Sequence, residues 1–389
     1  MSVNKKLLEC IPKRPTDSID WDHIESSPLG GIIQKMKNTP QNPVWHGEGD
    51  VWSHTKMVCT EMIGLADFWA YEERIRQELF LAALLHDIGK VPCTRQEDGV
   101  WVSPNHTSVG ARMAREILWI DFGVCGLPEL QAFRETICTL IRYHSVPMHI
   151  FDRPDLERQL LRIASNGELS VDFTLKMLGI LAKADAKGRI AKDKQESVDL
   201  AELFSAEAER LGCLYSPYKF ADSFSQYEYL NGKNILPEQQ LYNDTWGEVI
   251  LLSGLPGTGK DTWIKNFYPD MPVISLDEIR RELKIGPTKP QGAVVNAAKE
   301  RAKEYLRKKI PFIWNATNLT PMIREMQIKL FRSYNAGVRI VFLETEWNEE
   351  MRRNKNRENP VPEERIRHMM RDMVLPERFE GHSVCRYCV

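Results

Sequence analysis

Gly254-Leu255-Pro256-Gly257-Thr258-Gly259-Lys260-Asp261-Thr262 follows the apolar run Val249 to Leu252 and precedes Trp263, Ile264 and Phe267. The run reads as a buried strand, and the three later apolar residues have helical spacing. Between strand and helix, glycines at these positions let backbone N–H groups turn inward around phosphate oxygens. Lys260 adds a point charge, and the helix aims its positive end at the same anion. Strand, spacing, lysine and helix together separate this pattern from a ligand-free glycine turn and identify a P-loop for a nucleoside triphosphate. Gly254, Gly257, Thr258, Gly259, Lys260, Asp261 and Thr262 are its candidate nucleotide-binding residues. One departure stands out: the residue directly after the lysine, usually Ser or Thr, is Asp261, with Thr262 one place later. The Mg²⁺ that accompanies a triphosphate is then held by another oxygen, by Asp261 itself or through water, or is held weakly.

The chain has 389 residues, enough for two domains or a little more. Its 42% hydrophobic and 27% charged content is that of a globular protein, and no apolar stretch reaches membrane length. The start, MSVNKKLLECIPKRP, lacks the apolar core of a secretory signal, so a cytoplasmic location is expected. Eight cysteines without a spacing framework read as reduced thiols; the tail pair Cys385 and Cys388 reads as part of a disordered or packed tail. A net charge of −2 argues against unspecific duplex binding by the whole surface and leaves room for a local basic groove.

In the first half, Trp45-His46-Gly47-Glu48-Gly49-Asp50-Val51-Trp52-Ser53-His54 leads into a helical segment. A second helix, Gln77 to Leu85, is almost wholly apolar yet ends in His86-Asp87-Ile88-Gly89-Lys90. A histidine and a carboxylate at the end of a core helix are costly unless paired or bound to metal. His106 stands where another helix would begin, and His144 continues the stripe of Ile137, Leu140 and Ile141. Asp185 follows Leu178 and Ala182 on a further stripe, with Arg189 one turn beyond. A single histidine on an apolar face is more often a hydrogen-bonded core residue than a ligand. His54, His86, Asp87, His106, His144 and Asp185 together are an unusual set for one helical domain, and such N and O donors suit Mn²⁺, Fe²⁺, Co²⁺, Ni²⁺ or Zn²⁺. His46 and His149 are weaker candidates.

The order H, HD, H, H, D resembles the HD superfamily of metal-dependent phosphohydrolases. The text around His54 is also similar to the W-H-P-E-G-D-V-x-x-H-T opening of HD domains attached to tRNA nucleotidyltransferases. The resemblance implies that His54, His86, Asp87 and Asp185 hold one metal and that His106 and His144 hold a second, with Asp87 shared. The ions implied are divalent transition metals such as Mn²⁺, Co²⁺ or Ni²⁺. Two cations about 3.5 to 4 Å apart activate a water and clamp a phosphoryl group. Lys90 and Arg189, each one helical turn from a ligand, are then expected to hold phosphate oxygens; solvated surface charge is the plainer alternative.

From Lys192 to about Asp244 the pattern loosens into an acidic helical stretch, Glu196 to Arg210, and an aromatic run through Phe224, Tyr227 and Tyr229. Such aromatics can stack on bases, but they read better as packing for a small subdomain. Past the P-loop, candidate strands Val273 to Ser275, Phe312 to Trp314 and Arg339 to Leu343 alternate with helices over Gly292 to Lys309, Pro321 to Tyr334 and Asn348 to Asn356. This alternation predicts a parallel sheet wrapped by helices, with ligands at the carboxyl ends of the strands. Three polar features fall there: Asp277 and Arg280, one helical turn apart; the turn Asn315-Ala316-Thr317-Asn318; and Arg353 with Arg357, spaced to share a face.

This half resembles the 5′-OH polynucleotide kinases of phage and repair systems, which carry a GxPGxGK loop, a D-x-x-R pair, an S/D-x-T-N turn and an R-N-x-x-R lid in this order. The resemblance implies that Asp277 is the base for a 5′-OH, that Arg280 grips the acceptor strand, and that Arg353 and Arg357 hold the donor phosphates, with ATP or GTP and Mg²⁺. The whole chain resembles bacterial HD-domain polynucleotide kinase fusions, which heal RNA ends. The fold class implied is multidomain: an all-α HD domain over 1–200, a helical and aromatic connector over 201–246, and an α/β P-loop kinase domain with a parallel sheet over 247–389. RNA or DNA strand ends and NTP are the implied partners, a separate ligase is implied functionally, and no membrane partner is expected. An HD nucleotidase beside a small-molecule nucleoside kinase, or a P-loop that only gates the phosphohydrolase, are the alternatives from other classes.

Overall fold

The computed structural model describes residues 8–170, 172–286, 289–357 and 359–389. The first seven residues, on which the reading of the N-terminus partly rests, lie outside the described residues. The chain forms two compact units, Met1–Cys125 with Glu129–Tyr218, and Gly126–Pro128 with Lys219–Val389. The segment 201–246 is shared between them.

The first unit is helical. Helix α1 (Val51–Gly64) starts at Asp50, whose extended backbone and side chain cap it by accepting from the Ser53 N–H at 2.9 Å. This cap satisfies one of the orphan donors of the first turn and fixes His54 just inside the helix. Helix α2 (Glu73–Leu85) buries every side chain from Glu78 to Leu85, an apolar run too continuous for a surface helix. A hairpin, β1 (Arg95–Glu97) and β2 (Val100–Val102), precedes α3 (His106–Glu116), α4 (Pro128–Tyr143), α5 (Leu175–Lys187) and α6 (Lys194–Arg210). The hairpin turns on Asp98-Gly99, both at positive φ, a sequence signal for a tight two-residue turn that the periodicity reading passed over. Helices α1, α2 and α5 pack on one another, and α6 covers α5.

The second unit begins with α7 (Ser223–Leu230), whose Phe224, Tyr227 and Tyr229 are buried; Phe224 and Tyr227 stack on His382. The aromatic run therefore packs this unit, as its composition suggested. Strand β3 (Glu248–Ser253) is buried along all but its first residue. It is followed by α8 (Lys260–Phe267), β4 (Val273–Ser275), α9 (Leu276–Glu282), α10 (Gly292–Arg307), β5 (Ile313–Asn315), α11 (Pro321–Arg332), β6 (Gly337–Glu344), α12 (Trp347–Lys355), α13 (Glu363–Asp372) and β7 (Ser383–Cys388). All strands of the sheet are parallel, in the order β4-β5-β3-β6-β7. The chain leaves β3 toward one edge and later crosses to the other, so the carboxyl end of β3 is the switch point where ligands bind in such sheets. Ile250, Leu252, Ile313, Val341 and Leu343 meet Trp263 and Ile264 of α8 in one apolar layer.

The tail pair Cys385 and Cys388 lies on β7, an edge strand whose Tyr387 packs against the same layer. None of the eight cysteines forms a disulfide, and five are buried. No helix among the described residues is long and apolar enough to cross a membrane.

Beneath the sheet's carboxyl ends, Arg324 of α11 is fully buried. It donates to Glu380 at 2.6 and 2.8 Å and to the carbonyls of Asn318 and Val374 at 3.1 and 2.9 Å, which pins the turn after β5. Removing one partner of such a pair strands the other without water, a loss of about 3–5 kcal/mol, whereas removing both is tolerated. Arg324→Met should lower the stability of the second unit by that amount in denaturant unfolding. Arg324→Met with Glu380→Leu should recover most of it.

Candidate functional site

Two constellations form, one in each unit. In the first, α1 brings His54, the end of α2 brings His86 and Asp87, α3 brings His106, the end of α4 brings His144, and α5 brings Asp185. His54 Nε2 lies 3.0 Å from Asp185 Oδ1 and 3.7 Å from Asp87 Oδ2; His86 Nε2 lies 3.2 Å from Asp87 Oδ2 and 4.0 Å from Asp185 Oδ1. The other oxygen of Asp87 faces His106 Nε2 at 3.5 Å and His144 Nε2 at 3.8 Å. Asp87 thus stands between two donor sets, and all six residues named from the sequence are gathered here.

Two close approaches make this convergence possible. A Cβ on Gly89 would fall 2.0 Å from the His106 carbonyl oxygen, so the loop after Asp87 lies directly against the start of α3. A Cβ on Gly188 would fall 2.8 Å from Val58 N, so the end of α5 lies directly against α1. Glycine at both points lets the backbones approach until the side chains reach one centre.

His86, His106 and His144 each donate Nδ1–H to a backbone carbonyl, of Ala83, Ser103 and Ile141, at 2.7–2.8 Å. Those bonds fix the tautomer and turn each Nε2 lone pair inward, the usual support of a metal-bound imidazole. Burial pushes His106 down and His144 down to about 3, so both rings are neutral and able to coordinate. Burial would raise Asp87, but His86, Lys90 and His106 outweigh it and hold the carboxylate well below its usual range. Arg189 and His54 do the same for Asp185. His86 Nε2 and Asp87 Oδ1 are buried without a hydrogen-bond partner among the described residues, which is costly unless a cation joins them. The donors present therefore fit divalent metal.

Lys90, 8% exposed, donates to Asp87 at 2.7 Å and to Gln41 at 2.7 Å. Arg189 donates to both oxygens of Asp185, at 3.2 and 2.5 Å. Both cations are tied to the centre, not spread in solvent. His46 lies beside it, 3.5 Å from Lys90 Nζ, whereas His149 is exposed.

Sequence reasoning missed Glu48. Its Oε1 lies 2.8 Å from Nδ1 of both His46 and His54, and its Oε2 accepts the Ile190 N–H at 3.0 Å. It orients the first histidine from behind. The signal was a carboxylate two residues after His46 in a stretch otherwise scanned for imidazoles.

In the second unit Gly254, Gly257 and Gly259 all have positive φ, and Lys260 Nζ folds onto the carbonyls of Gly254 and Leu255 at 3.0 and 2.7 Å. Thr258 is buried beneath the loop, and Thr262 is exposed on α8. Asp261 accepts from the side-chain amide of Asn315 at 2.7 Å. A Cβ on Gly259 would meet Arg353 Nη1 at 3.2 Å, so the guanidinium of Arg353 lies over the P-loop. Asp277, 64% exposed at its side chain, pairs with Arg280 and accepts from Arg357 at 3.4 Å; Arg280 also donates to Gln291 at 2.6 Å. All four features therefore lie at the carboxyl end of the parallel sheet. Glu350 of α12, buried under Gly257 and pushed up to about 8 by burial, was not singled out, because an acid on a charged helix reads as solvated.

Residues 51–168 match the HD domain family, and residues 249–376 match a family described as an AAA domain. No curated protein matches the chain. HD domains bind divalent metals, and the buried cluster supplies donors for them. The chain thus joins an HD phosphohydrolase domain to a P-loop, kinase-like domain, the architecture of an enzyme with hydrolase and kinase activities.

Gly89→Ala should push α3 away from Asp87, at about 1–3 kcal/mol of stability. Thermal unfolding and the metal content per chain should fall together; an unchanged melting temperature with full metal content would contradict this packing. Burial depresses Lys260 to about 8. Below that pH its ammonium is present in the free protein; above it, binding an anion must first take up a proton. ATP affinity measured in EDTA should therefore fall as pH rises from about 7 to about 9, by up to about tenfold per unit above the pKa. Lys260→Arg should flatten the profile, because a guanidinium stays charged throughout.

Proposed function

We propose that the chain heals broken nucleic-acid ends, with RNA as the substrate. The second unit moves the γ-phosphate of ATP or GTP to a 5′-OH. The first removes phosphate from 2′,3′-cyclic, 2′ or 3′ phosphate ends and leaves a 3′-OH. A separate ligase then joins the strands, and the work is placed in the cytoplasm.

The observation that carries the strand reading is the exposure of Asp277 between two arginines. A kinase for free nucleosides closes a pocket around its acceptor, whereas a polynucleotide end needs an open carboxylate flanked by cations for its phosphodiesters. In this reading Asp277 accepts the proton of the 5′-OH as it attacks, which is the role a carboxylate opposite a γ-phosphate fills in kinases. Arg280 grips the acceptor's phosphate. The P-loop amides and Lys260 hold the donor phosphates, and Arg353 and Arg357 bring positive charge to the group in transfer.

In the HD unit, His54, His86, Asp87 and Asp185 would hold one metal, and Asp87, His106 and His144 a second. Mn²⁺, Co²⁺ and Ni²⁺ suit these donors. When bound, such ions acidify water and neutralise charge on the phosphate. Lys90 and Arg189 hold the phosphate oxygens, and Glu48 keeps His54 in the tautomer that presents Nε2.

The test uses an RNA oligonucleotide with a 5′-OH and a 2′,3′-cyclic phosphate, incubated with divalent metal and NTP. Asp87→Ala should abolish 3′ dephosphorylation and leave 5′ phosphorylation intact; Lys260→Ala should do the reverse, each by a factor of about 100 or more. Consumption of free nucleosides or nucleotides with both RNA ends unchanged would replace this reading with a small-molecule one.

A further inference from the structure

The departure at Asp261 has a counterpart in space. P-loop enzymes commonly hold Mg²⁺ with a neutral hydroxyl on the residue after the lysine and a carboxylate on a neighbouring strand. Here the residue after the lysine is the carboxylate, and the strand paired to β3 ends in a neutral amide, Asn315. The two side chains touch: Asn315 Nδ2 donates to Asp261 Oδ1 at 2.7 Å. Both chemical types that the ion needs are thus present at the two expected places, with their positions exchanged.

We infer that Asp261 and Asn315 form an exchanged magnesium site, in which the acid sits on α8 and the neutral oxygen on β5. The inference rests on reading the second unit as a nucleotide-dependent kinase. The charge count supports it. A hydroxyl with a carboxylate and an amide with a carboxylate each total one negative charge, so a cation facing either pair meets the same formal charge. The hydrogen bond has a direction that suits this role. Asn315 spends an N–H on Asp261 and so keeps its carbonyl oxygen as a neutral donor, while Asp261 keeps Oδ2.

Two neighbouring oxygens at this end of the sheet are committed elsewhere. Asp277 is paired with Arg280 and Arg357, and Thr258 donates its hydroxyl to the Leu255 carbonyl at 2.9 Å. Glu350 is buried beneath the loop, its two carboxylate oxygens without a hydrogen-bond partner among the described residues, and it stands under Gly257 rather than beside Asp261 and Asn315. Asn315 is itself 7% exposed and ends a strand, so its amide is held on a rigid element, as a metal-orienting group requires.

The exchange makes a specific double-substitution prediction. Affinity for a non-hydrolysable ATP analogue is measured on the full chain by calorimetry, with Mg²⁺ and with EDTA. The readout is the ratio of the two affinities for the binding that Lys260→Ala abolishes, which sets apart any analogue held through metal in the HD unit. Mg²⁺ should raise wild-type affinity by about tenfold or more. Asp261→Ser should erase that gain, because a hydroxyl and an amide supply no charge. Asn315→Asp alone puts two carboxylates at hydrogen-bonding distance and should weaken analogue binding in EDTA. Asp261→Ser with Asn315→Asp rebuilds the common arrangement and should restore the ratio to within about threefold of wild type.

Retention of the full magnesium gain by Asp261→Ser, or its loss in Thr262→Ala instead, would overturn the assignment. So would a double variant no better than Asp261→Ser at an unchanged melting temperature. Equal wild-type affinity in Mg²⁺ and EDTA would overturn the exchange and leave the nucleotide site standing, whereas no affinity in either would overturn both. The acceptor strand takes no part, so failure of the polynucleotide reading would show in the RNA assay and not here.

Discussion

Two carboxylates taken out of water set the terms for the first unit. Asp87 and Asp185 are 1% and 2% exposed, and an isolated charge at such depth would take up a proton rather than persist. They persist because imidazoles, a lysine and an arginine surround them. That requirement reaches into the fold. Histidines must arrive from three further helices, the helices must cross closely enough for their side chains to meet, and Gly89 and Gly188 mark where the backbones touch. The centre is therefore a reason for the helix packing as well as a product of it.

The second unit answers the opposite problem. Its N–H groups, Lys260 and arginines gather at the carboxyl ends of parallel strands, an arrangement that suits an anion such as a triphosphate. The apolar layer of Ile250, Leu252, Trp263 and Val341 holds β3 and α8 at a fixed angle, so the loop between them is shaped before any ligand arrives. Preorganisation of this kind is what makes fixed dipoles effective, since little reorganisation is needed when charge moves. The buried Arg324 extends the same rigidity to the turn after β5, by occupying the carbonyls of Asn318 and Val374.

Where the sequence was legible, it was because residue type and period carried the same message. The runs at Val249 and Arg339 are apolar and short, and each became a parallel strand; the helix ending in His86 and Asp87 announced itself by placing costly groups at the end of an apolar run. His106 and His144 could be named because each stands at a helix terminus or on an apolar stripe. Tail residues 383–388 were harder: an edge strand is half exposed, its side chains mix Val, Arg and Tyr, and pairing with β6 is invisible to local periodicity. Glu48, Gln41 and Glu350 were illegible for a related reason. Gln41 and Glu350 meet partners distant along the chain, Glu48 meets His46 and His54 close by, and in each case a single acid or amide on a polar stretch has no period to betray it. The contact between Asp261 and Asn315 spans 54 residues and needed the strand order before it could be seen.

In both sites the cations are already paired with the protein's own oxygens: Lys90 with Asp87, Arg189 with Asp185, Arg357 with Asp277, and Lys260 with the carbonyls of its own loop. A phosphate that binds must compete with these partners, so its affinity is a difference between two sets of charged hydrogen bonds and not the sum of new ones. The internal pairs hold long side chains in place and reduce the entropy lost on binding, which offsets part of that competition. In the first unit a divalent ion, once bound, would take over the neutralisation of Asp87 and Asp185, and Lys90 and Arg189 would then be free for a phosphate. Metal and phosphate binding in that unit would then be linked: each would strengthen the other by the same factor, through carboxylates that cannot be left alone.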